Sequence, residues 1–378
     1  MNAMTVLFAV SFASLVYIYV FYPLLVWFLA RVFGHDPAKQ PITPAVALLI
    51  PAFNEEKHIE AKLKNSLSLD YPKDRLRILV ANDGSTDKTE SIAKTFESQG
   101  IKVVSMPENI GKSRMLTRIV PDIAEEIVIF SDTSSELQPD ALRKLIRNFA
   151  DPRVGCVSGL YGLKGADDLR GQGEGAYWKY ETLIKTQESR LHSILGAHGA
   201  FYAVRRKLFK TLEHTSINDD YLIPMYIVQQ GYRAVYEPEA VAWELEMASV
   251  AGEFARRRRI AVGNCQQIAE LWPMLNPAFG WVALCFFSHK VLRTAAPLFM
   301  LLVLVSSWWL PEPWSKIVLG LQTAFYGSAY IGYLCQRFGR TISWLSAPTY
   351  FCLGNLAMLE GIFKYCFSRD SVRWERAR

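Results

Sequence analysis

Between residues 45 and 150, short apolar runs alternate with helical stretches, and this constrains the fold more than any other feature of the chain. The runs are AVALLIP (45–51), RLRILVAND (75–83), IKVVSMP (101–107) and EEIVIFSD (125–132). Runs this short and apolar predict buried strands. Between them lie NEEKHIEAKLKNSLSL, with Asn54 as N-cap and two glutamates in the first turn, and STDKTESIAKTFESQG, which ends at Gly100. GKSRMLTRIV and QPDALRKLIRNFA follow, the latter with Pro near its start. Such alternation predicts a parallel sheet with helices on both faces. Sheets of this kind bind ligands beyond the carboxyl ends of their strands. There the chain places Asn54 and Glu55, then Asn82 and Asp83, then Asp132. Taken singly, each is a cap or turn former. Three acidic strand ends in one crevice suit a divalent cation with a nucleotide.

Two common phosphate cradles are excluded. ENIGKSR (108–114) has a Gly-Lys-Ser, but a Walker motif needs glycine five residues before Gly111, and Met106 stands there. The first strand leads into PAFNEE without a glycine, so the dinucleotide fingerprint is also absent.

Residues 4–30 carry no charge. About 20 apolar residues span a bilayer. A cleaved signal peptide would have a basic start and a small-residue cleavage site, whereas no Lys or Arg precedes this run and Tyr22, Trp27 and Phe28 fill its end. An uncleaved transmembrane helix is expected. Residues 294–310 and 316–335 are also predicted to span, 279–293 to lie in the interface, and 341–367 to be apolar but interrupted by Pro348, Glu360 and Lys364. Hydrophobic residues make up 51% of the 378 and the net charge is +6, with Arg31, Lys290, Arg293, Arg337 and Arg340 flanking the apolar segments. The positive-inside rule then puts the soluble domain in the cytoplasm. With one span at 341–367 the basic tail falls on the wrong side, so either this segment or 279–293 is re-entrant or interfacial. The six cysteines form no CxxC pair, which fits reduced thiols and argues against a zinc site.

FARRRRIAVGN (254–264) holds Arg256, Arg257, Arg258 and Arg259 in succession. Successive helical residues point about 100° apart, so no single ligand meets all four; Arg256 and Arg259 share a face. The run lies inside a helix beside apolar segments and not in an exposed tail, which fits a nucleic-acid signal poorly.

PAFNEE (51–56), NDGSTD (82–87), ENIGKS (108–113), FSDTS (130–134), GAHGAFYAVRR (196–206), NDDYLIP (218–224) and RRRRIAVG (256–263) resemble, in order, membrane-bound family 2 glycosyltransferases. That family includes the synthases of cellulose, hyaluronan and poly-N-acetylglucosamine. The resemblance implies an α/β, A-type (Rossmann-like) catalytic domain at 40–275. An N-terminal transmembrane helix at 1–31 would precede it. C-terminal interfacial and transmembrane helices at 276–368 and a basic tail at 369–378 would follow.

By position, Pro51, Asn54, Glu55 and Asp83 match the family's nucleotide-binding strand ends, and Lys112 the lysine near the diphosphate. Asp132 matches the first Asp of the metal-binding DxD, whose second Asp is here Ser134, a weaker ligand for Mg²⁺ or Mn²⁺. Asp220 matches the general base, with Asp219 in the place of its acidic neighbour; the plainer reading is two acids at a helix start. Arg259 matches the arginine of QxxRW, Arg256 its glutamine and Ile260 its tryptophan. An arginine there would stabilise the leaving diphosphate. Ile260 lacks the aromatic face on which processive members stack the acceptor sugar. His198 and Gly199 line the sugar side by position, and His198 is equally readable as structural. The implied reaction is inverting transfer from a nucleotide sugar, a UDP-sugar by resemblance, to a saccharide or lipid-linked acceptor in polysaccharide synthesis. The implied setting is the cytoplasmic membrane, with membrane lipids and polysaccharide export proteins as partners. Ser134 and Ile260 leave a second reading open: a catalytically weak membrane subunit that binds nucleotide or glycan and assists a partner synthase or exporter.

Overall fold

The computed structural model describes residues 2–163, 172–212, 216–244, 250–340 and 342–367. The first half runs α1 (Ala3–Phe33), β1 (Val46–Ala52), α2 (Ile59–Leu67), β2 (Leu76–Asn82), α3 (Thr89–Lys94), β3 (Ile101–Ser105), α4 (Lys112–Ile119), β4 (Ile127–Ser131), β5 (Ser135–Leu137) and α5 (Ala141–Ile146). The second half runs β6 (Val154–Leu163), α6 (Gln172–Leu191), β7 (Phe201–Arg205), α7 (Asp219–Gln229), β8 (Arg233–Glu244), α8 (Val250–Glu270), α9 (Trp281–Trp309), α10 (Trp314–Arg337) and α11 (Ser343–Phe367).

The strands form one sheet in the order β3-β2-β1-β4-β7-β6-β8-β5. The expected parallel pairing holds for β1 with β2, β1 with β4, and β2 with β3. The wholly parallel sheet is corrected: β7 runs antiparallel to both β4 and β6, and β5 antiparallel to β8. Strand and helix go on alternating after α5, but α6 joins β6 and β7, which pair antiparallel, so this connection is not the crossover that yields parallel neighbours. Every residue of β1 is buried, as a central strand covered on both faces requires. Val46, Leu48 and Ile50 join one core cluster with Ile59, Leu63 and Leu142. Ala47 and Leu49 face the other way, with Tyr22, Tyr202 and Phe286.

The second cluster ties the apolar helices to the domain, because Val26 and Ala30 of α1 and Val282 of α9 belong to it. Two helices among the described residues are long and apolar enough to cross a membrane: α1, with 31 residues, and α9, with 29. Phe12, Phe21, Leu24 and Phe28 of α1 are each more than half exposed. The segment expected to lie in the interface, 279–293, is not set apart from the span expected after it. Residues 281–292 continue into 293–309 as one helix, because no breaker separates them. Their polar groups face protein. His289 Nδ1 lies 2.7 Å from Glu188 Oε1, and Arg293 donates to Glu181 Oε2 at 3.0 Å. The basic tail at 369–378 lies outside the described residues. All six cysteines are free.

Candidate active site

The carboxyl ends of β1, β2 and β4 gather the predicted loops. Asn54 is not the N-cap of α2, which starts at Ile59. It holds a left-handed turn at φ 53°, and its Oδ1 accepts from the Thr86 N–H at 2.8 Å. Asn tolerates this conformation better than other side-chain-bearing residues. Ser85 Oγ in turn accepts from the Asn54 N–H at 3.0 Å, so the PAFNEE and NDGSTD loops interlock. Glu55 Oε2 lies 3.0 Å from His58 Nδ1, and the carbonyl of buried Pro51 accepts from Thr133 Oγ1 at 2.9 Å. Asp83 is wholly buried, and its two oxygens accept from the N–H groups of Ile110 and Gly111 at 3.0 and 2.8 Å. It buckles the 108–111 loop and thereby sets the start of α4, where Lys112 stands.

Lys112 is the hub. Its Nζ donates to Asp132 Oδ1 at 3.0 Å and lies 3.8 Å from Asp219 Oδ2. Burial pulls the Lys112 ammonium down, but Asp132, Asp219 and Asp220 outweigh it and hold the pKa above the ordinary value. Asp219 and Asp220 open α7 after Asn218. The helix start favours their negative charge. Burial nevertheless raises both carboxyls, Asp220 to about 6, where the neighbouring charge of Asp219 adds to the effect. Gly199 lies against this carboxylate: a Cβ there would stand 2.8 Å from Asp220 Oδ2.

The arginine run divides as its helical geometry requires. Arg259 is close enough to Asp220, Asp132 and Asp219 to feel all three charges. Arg256 is held in a bidentate pair by Glu253, at 2.8 and 3.1 Å. Arg257 donates to the same Glu253 at 2.6 Å and stacks 3.7 Å above the Tyr350 ring. Arg258 is exposed, 3.5 Å from Glu360. Asn218 braces α7 to α8 by donating to the Ile260 carbonyl at 3.3 Å, and a Cβ at Gly263 would stand 2.5 Å from its Nδ2. Two of the buried polar atoms that find no hydrogen-bond partner among the described residues lie among these acids: Asp219 Oδ2 and Arg259 Nε. Such orphans are costly unless a ligand meets them. The unmet guanidinium N–H suits an anionic ligand.

Several participants escaped sequence reasoning. Lys62 of α2 is buried under the Asp132 turn and donates to Ser131 Oγ (2.6 Å), Ser135 O (2.7 Å) and Ser135 Oγ (3.2 Å). Burial lowers its pKa to about 7 against the pull of Asp132 and Glu244. The signal was present, since Lys62 occupies the apolar stripe Ile59, Lys62, Leu63, Ser66. Glu244, at the end of β8, accepts from Ser134 and Tyr161 and lies near Asp132. The pairing of β8 with β5 on one side and β6 on the other brings it there. Lys185 of α6 donates to the Gly196 carbonyl at 2.8 Å and acts electrostatically on Asp220. His198 is partly exposed, and burial, then Lys185, hold its imidazole neutral. Among the described residues no three His, Cys, Asp or Glu side chains gather closely enough to hold a metal alone.

Comparison with known proteins follows this geometry. A poly-beta-1,6-N-acetyl-D-glucosamine synthase of Staphylococcus aureus is 28% identical over 227 residues, which are 58% of this chain and 54% of that protein. The synthase of the same name from Staphylococcus epidermidis is 25% identical over 238 residues, 61% of this chain and 57% of that one. The chain thus matches little more than half the length of these relatives. The mannosyltransferase PcManGT of Pyrobaculum calidifontis, solved with GDP-mannose and Mn²⁺, superposes with a TM-score of 0.73 at 22% identity. That superposition covers 96% of this chain and 100% of the other, and it establishes a shared fold. Residues 47–213 match the sequence pattern of glycosyl transferase family 2. The matched segment carries Asn54, Asp83, Lys112 and Asp132.

Proposed function

We propose that this chain transfers a sugar, with inversion, from a nucleotide-sugar donor to a hydroxyl of a saccharide or lipid-linked acceptor at the cytoplasmic face of a membrane. One observation carries the reading: Lys112 bridges Asp132 and Asp219 at the mouth of the sheet, with Asp220 on the next residue. Lys112 and Arg259 supply the positive charge a diphosphate needs. Asp220, with its pKa raised to about 6, is a base matched to neutral pH. It takes the proton of the acceptor hydroxyl as that oxygen attacks the anomeric carbon. The new C–O bond forms on the face opposite the diphosphate. The old anomeric C–O bond breaks, and its electron pair leaves with the nucleoside diphosphate. Lys112 and Arg259 stabilise the charge that grows there.

A divalent cation fits this site only in company with the donor. Asp132 offers a hard carboxylate and Ser134 a neutral oxygen, so diphosphate oxygens must complete the shell. The cation would supply further neutralisation of the leaving group; the solved mannosyltransferase held Mn²⁺. Asn54, Glu55 and Asp83 shape the nucleoside end. The similarity to poly-beta-1,6-N-acetyl-D-glucosamine synthases supports an N-acetylglucosamine donor, and the length and apolarity of α1 and α9 support a membrane setting.

The test is nucleotide release by the detergent-purified protein from UDP-, GDP- and dTDP-sugars, with membrane lipid extract as acceptor, with Mg²⁺, Mn²⁺ or chelator, beside Asp220→Asn. Release from one donor that vanishes in the variant, while nucleotide binding persists, is expected. Release from no donor overturns the reading. Release that survives chelator removes the cation from it.

A further inference from the structure

Ile260 has no aromatic face, yet sugars are commonly held by rings, because the C–H face of a pyranose packs well on an aromatic surface. The structure gathers four rings beside the base. Tyr161 (β6) lies 4.9 Å from Trp178 (α6) between ring centroids, and Trp178 lies 5.4 Å from His198 in the loop before β7. His198 is 6.3 Å from Tyr161 and 5.9 Å from Tyr236 of β8. Tyr236 is buried; Tyr161, Trp178 and His198 are each partly exposed. Rings serving only the core would be covered.

Both flanks of this group belong to the site. On one side, His198 precedes Gly199, which lies against the Asp220 carboxylate. The Ser158 hydroxyl accepts from the His198 N–H at 3.0 Å and fixes that approach. On the other side, Glu244 accepts from Tyr161 and from Ser134, two residues after Asp132. The rings therefore stand between the proton acceptor and the turn that faces the diphosphate. They have polar handles in the Tyr161 hydroxyl, the His198 imidazole and the Glu244 carboxylate. Apolar faces edged by such groups suit a ring with hydroxyls at its rim. The donor sugar is tethered through its diphosphate to the Lys112–Asp132 side, whereas the attacking hydroxyl must reach Asp220, which His198 and Gly199 border.

Resting on the transferase reading above, we propose that Tyr161, Trp178 and His198 form the acceptor-sugar subsite, taking over the stacking role that residue 260 cannot fill. The acceptor it takes is a pyranose, presented with one hydroxyl toward Asp220. The test is steady-state transfer from UDP-N-acetylglucosamine and GDP-mannose to β-1,6-linked N-acetylglucosamine and mannose oligosaccharides, using the full chain in detergent. Trp178→Ala, Trp178→Phe and Tyr161→Phe are compared with the wild type, each checked for an unchanged melting temperature. Loss of the stack in Trp178→Ala is expected to raise the acceptor KM about tenfold, with the donor KM within twofold. Trp178→Phe should recover most of the loss, and Tyr161→Phe should raise the acceptor KM by a smaller factor. An acceptor KM unchanged in Trp178→Ala, or a donor KM that rises instead, overturns the subsite while leaving the transferase reading intact. A wild type that turns over no donor overturns both.

Discussion

Gly199→Ala separates the chemistry of this site from its stability. The added Cβ would stand 2.8 Å from Asp220 Oδ2, 3.4 Å from its Cγ and 3.5 Å from its Cβ. Comfortable contact for such atoms is about 3.5 Å, so the carboxylate oxygen must retreat by roughly half an ångström or more. Nothing else must give: the nearest atoms are the end of one side chain, and Gly199 does not hold a left-handed backbone that alanine would resist. The folding cost is thus small, and the lower entropy of the unfolded alanine chain offsets about 0.4–1 kcal/mol of it. The catalytic cost is large, because a base displaced by about 1 Å loses on the order of 100-fold in rate. A tenfold to hundredfold fall in kcat is expected, with an unchanged donor KM and a melting temperature close to wild type. The assay is nucleotide release over a donor titration, beside thermal unfolding in the same detergent. A kcat within twofold of wild type would refute Asp220 as the proton acceptor in this position.

Three further outcomes follow from the same geometry. Asp220 accepts a proton only when ionised, so kcat/KM should fall as pH drops through about 6, read from a pH–rate profile. The raised pKa also means that the folded state holds this proton more tightly than the unfolded chain. The associated stability is present below the ordinary value of 3.8 and lost as pH rises through about 6. It amounts to about 3 kcal/mol. Asp220→Asn should therefore melt higher than wild type at pH 7.5 and lose that advantage near pH 4, a comparison made by thermal unfolding at the two pH values. Arg259→Ala should cut kcat by about 100-fold or more, whereas exposed Arg258→Ala should stay within twofold, both measured as turnover at saturating donor. Lys62→Met strips the donor from the buried Ser135 carbonyl and two serine hydroxyls. Its expected cost is about 1–3 kcal/mol, with weaker Mn²⁺-dependent nucleotide binding, seen in calorimetric titration; a variant as stable and as tight as wild type would refute the role given to this lysine.

What the sequence made legible is what local chemistry decides. β1, β2 and β4 could be read because an apolar run that ends in Pro, Asn or Asp marks a buried strand running into a loop, and the ordered motifs singled out Asp132 and Asp220, which the fold brings to the same lysine. Asn54 was misread as a helix cap because its partner, Thr86, is thirty-two residues away in another loop; within its own segment the same side chain has only α2 to cap. The antiparallel strands β5, β7 and β8 were out of reach for the same reason, since pairing Ser135 with Glu244 is a property of the sheet and of neither segment. Lys62 is the instructive intermediate. Its place on an apolar stripe was visible, but what a buried ammonium binds depends on a turn some seventy residues onward. The arginine run shows how far the geometry goes beyond the motif. Helical periodicity alone separated four identical side chains into different directions. The structure gives each direction its neighbour: Glu253 for Arg256, Glu253 with the Tyr350 ring for Arg257, Glu360 for Arg258, and the three acids of the site for Arg259. Of the four, Arg259 keeps a buried Nε without a partner among the described residues. A guanidinium with an unmet donor beside three carboxylates is poised for an anion brought in by a ligand, and a diphosphate has the charge and the oxygen geometry to meet it.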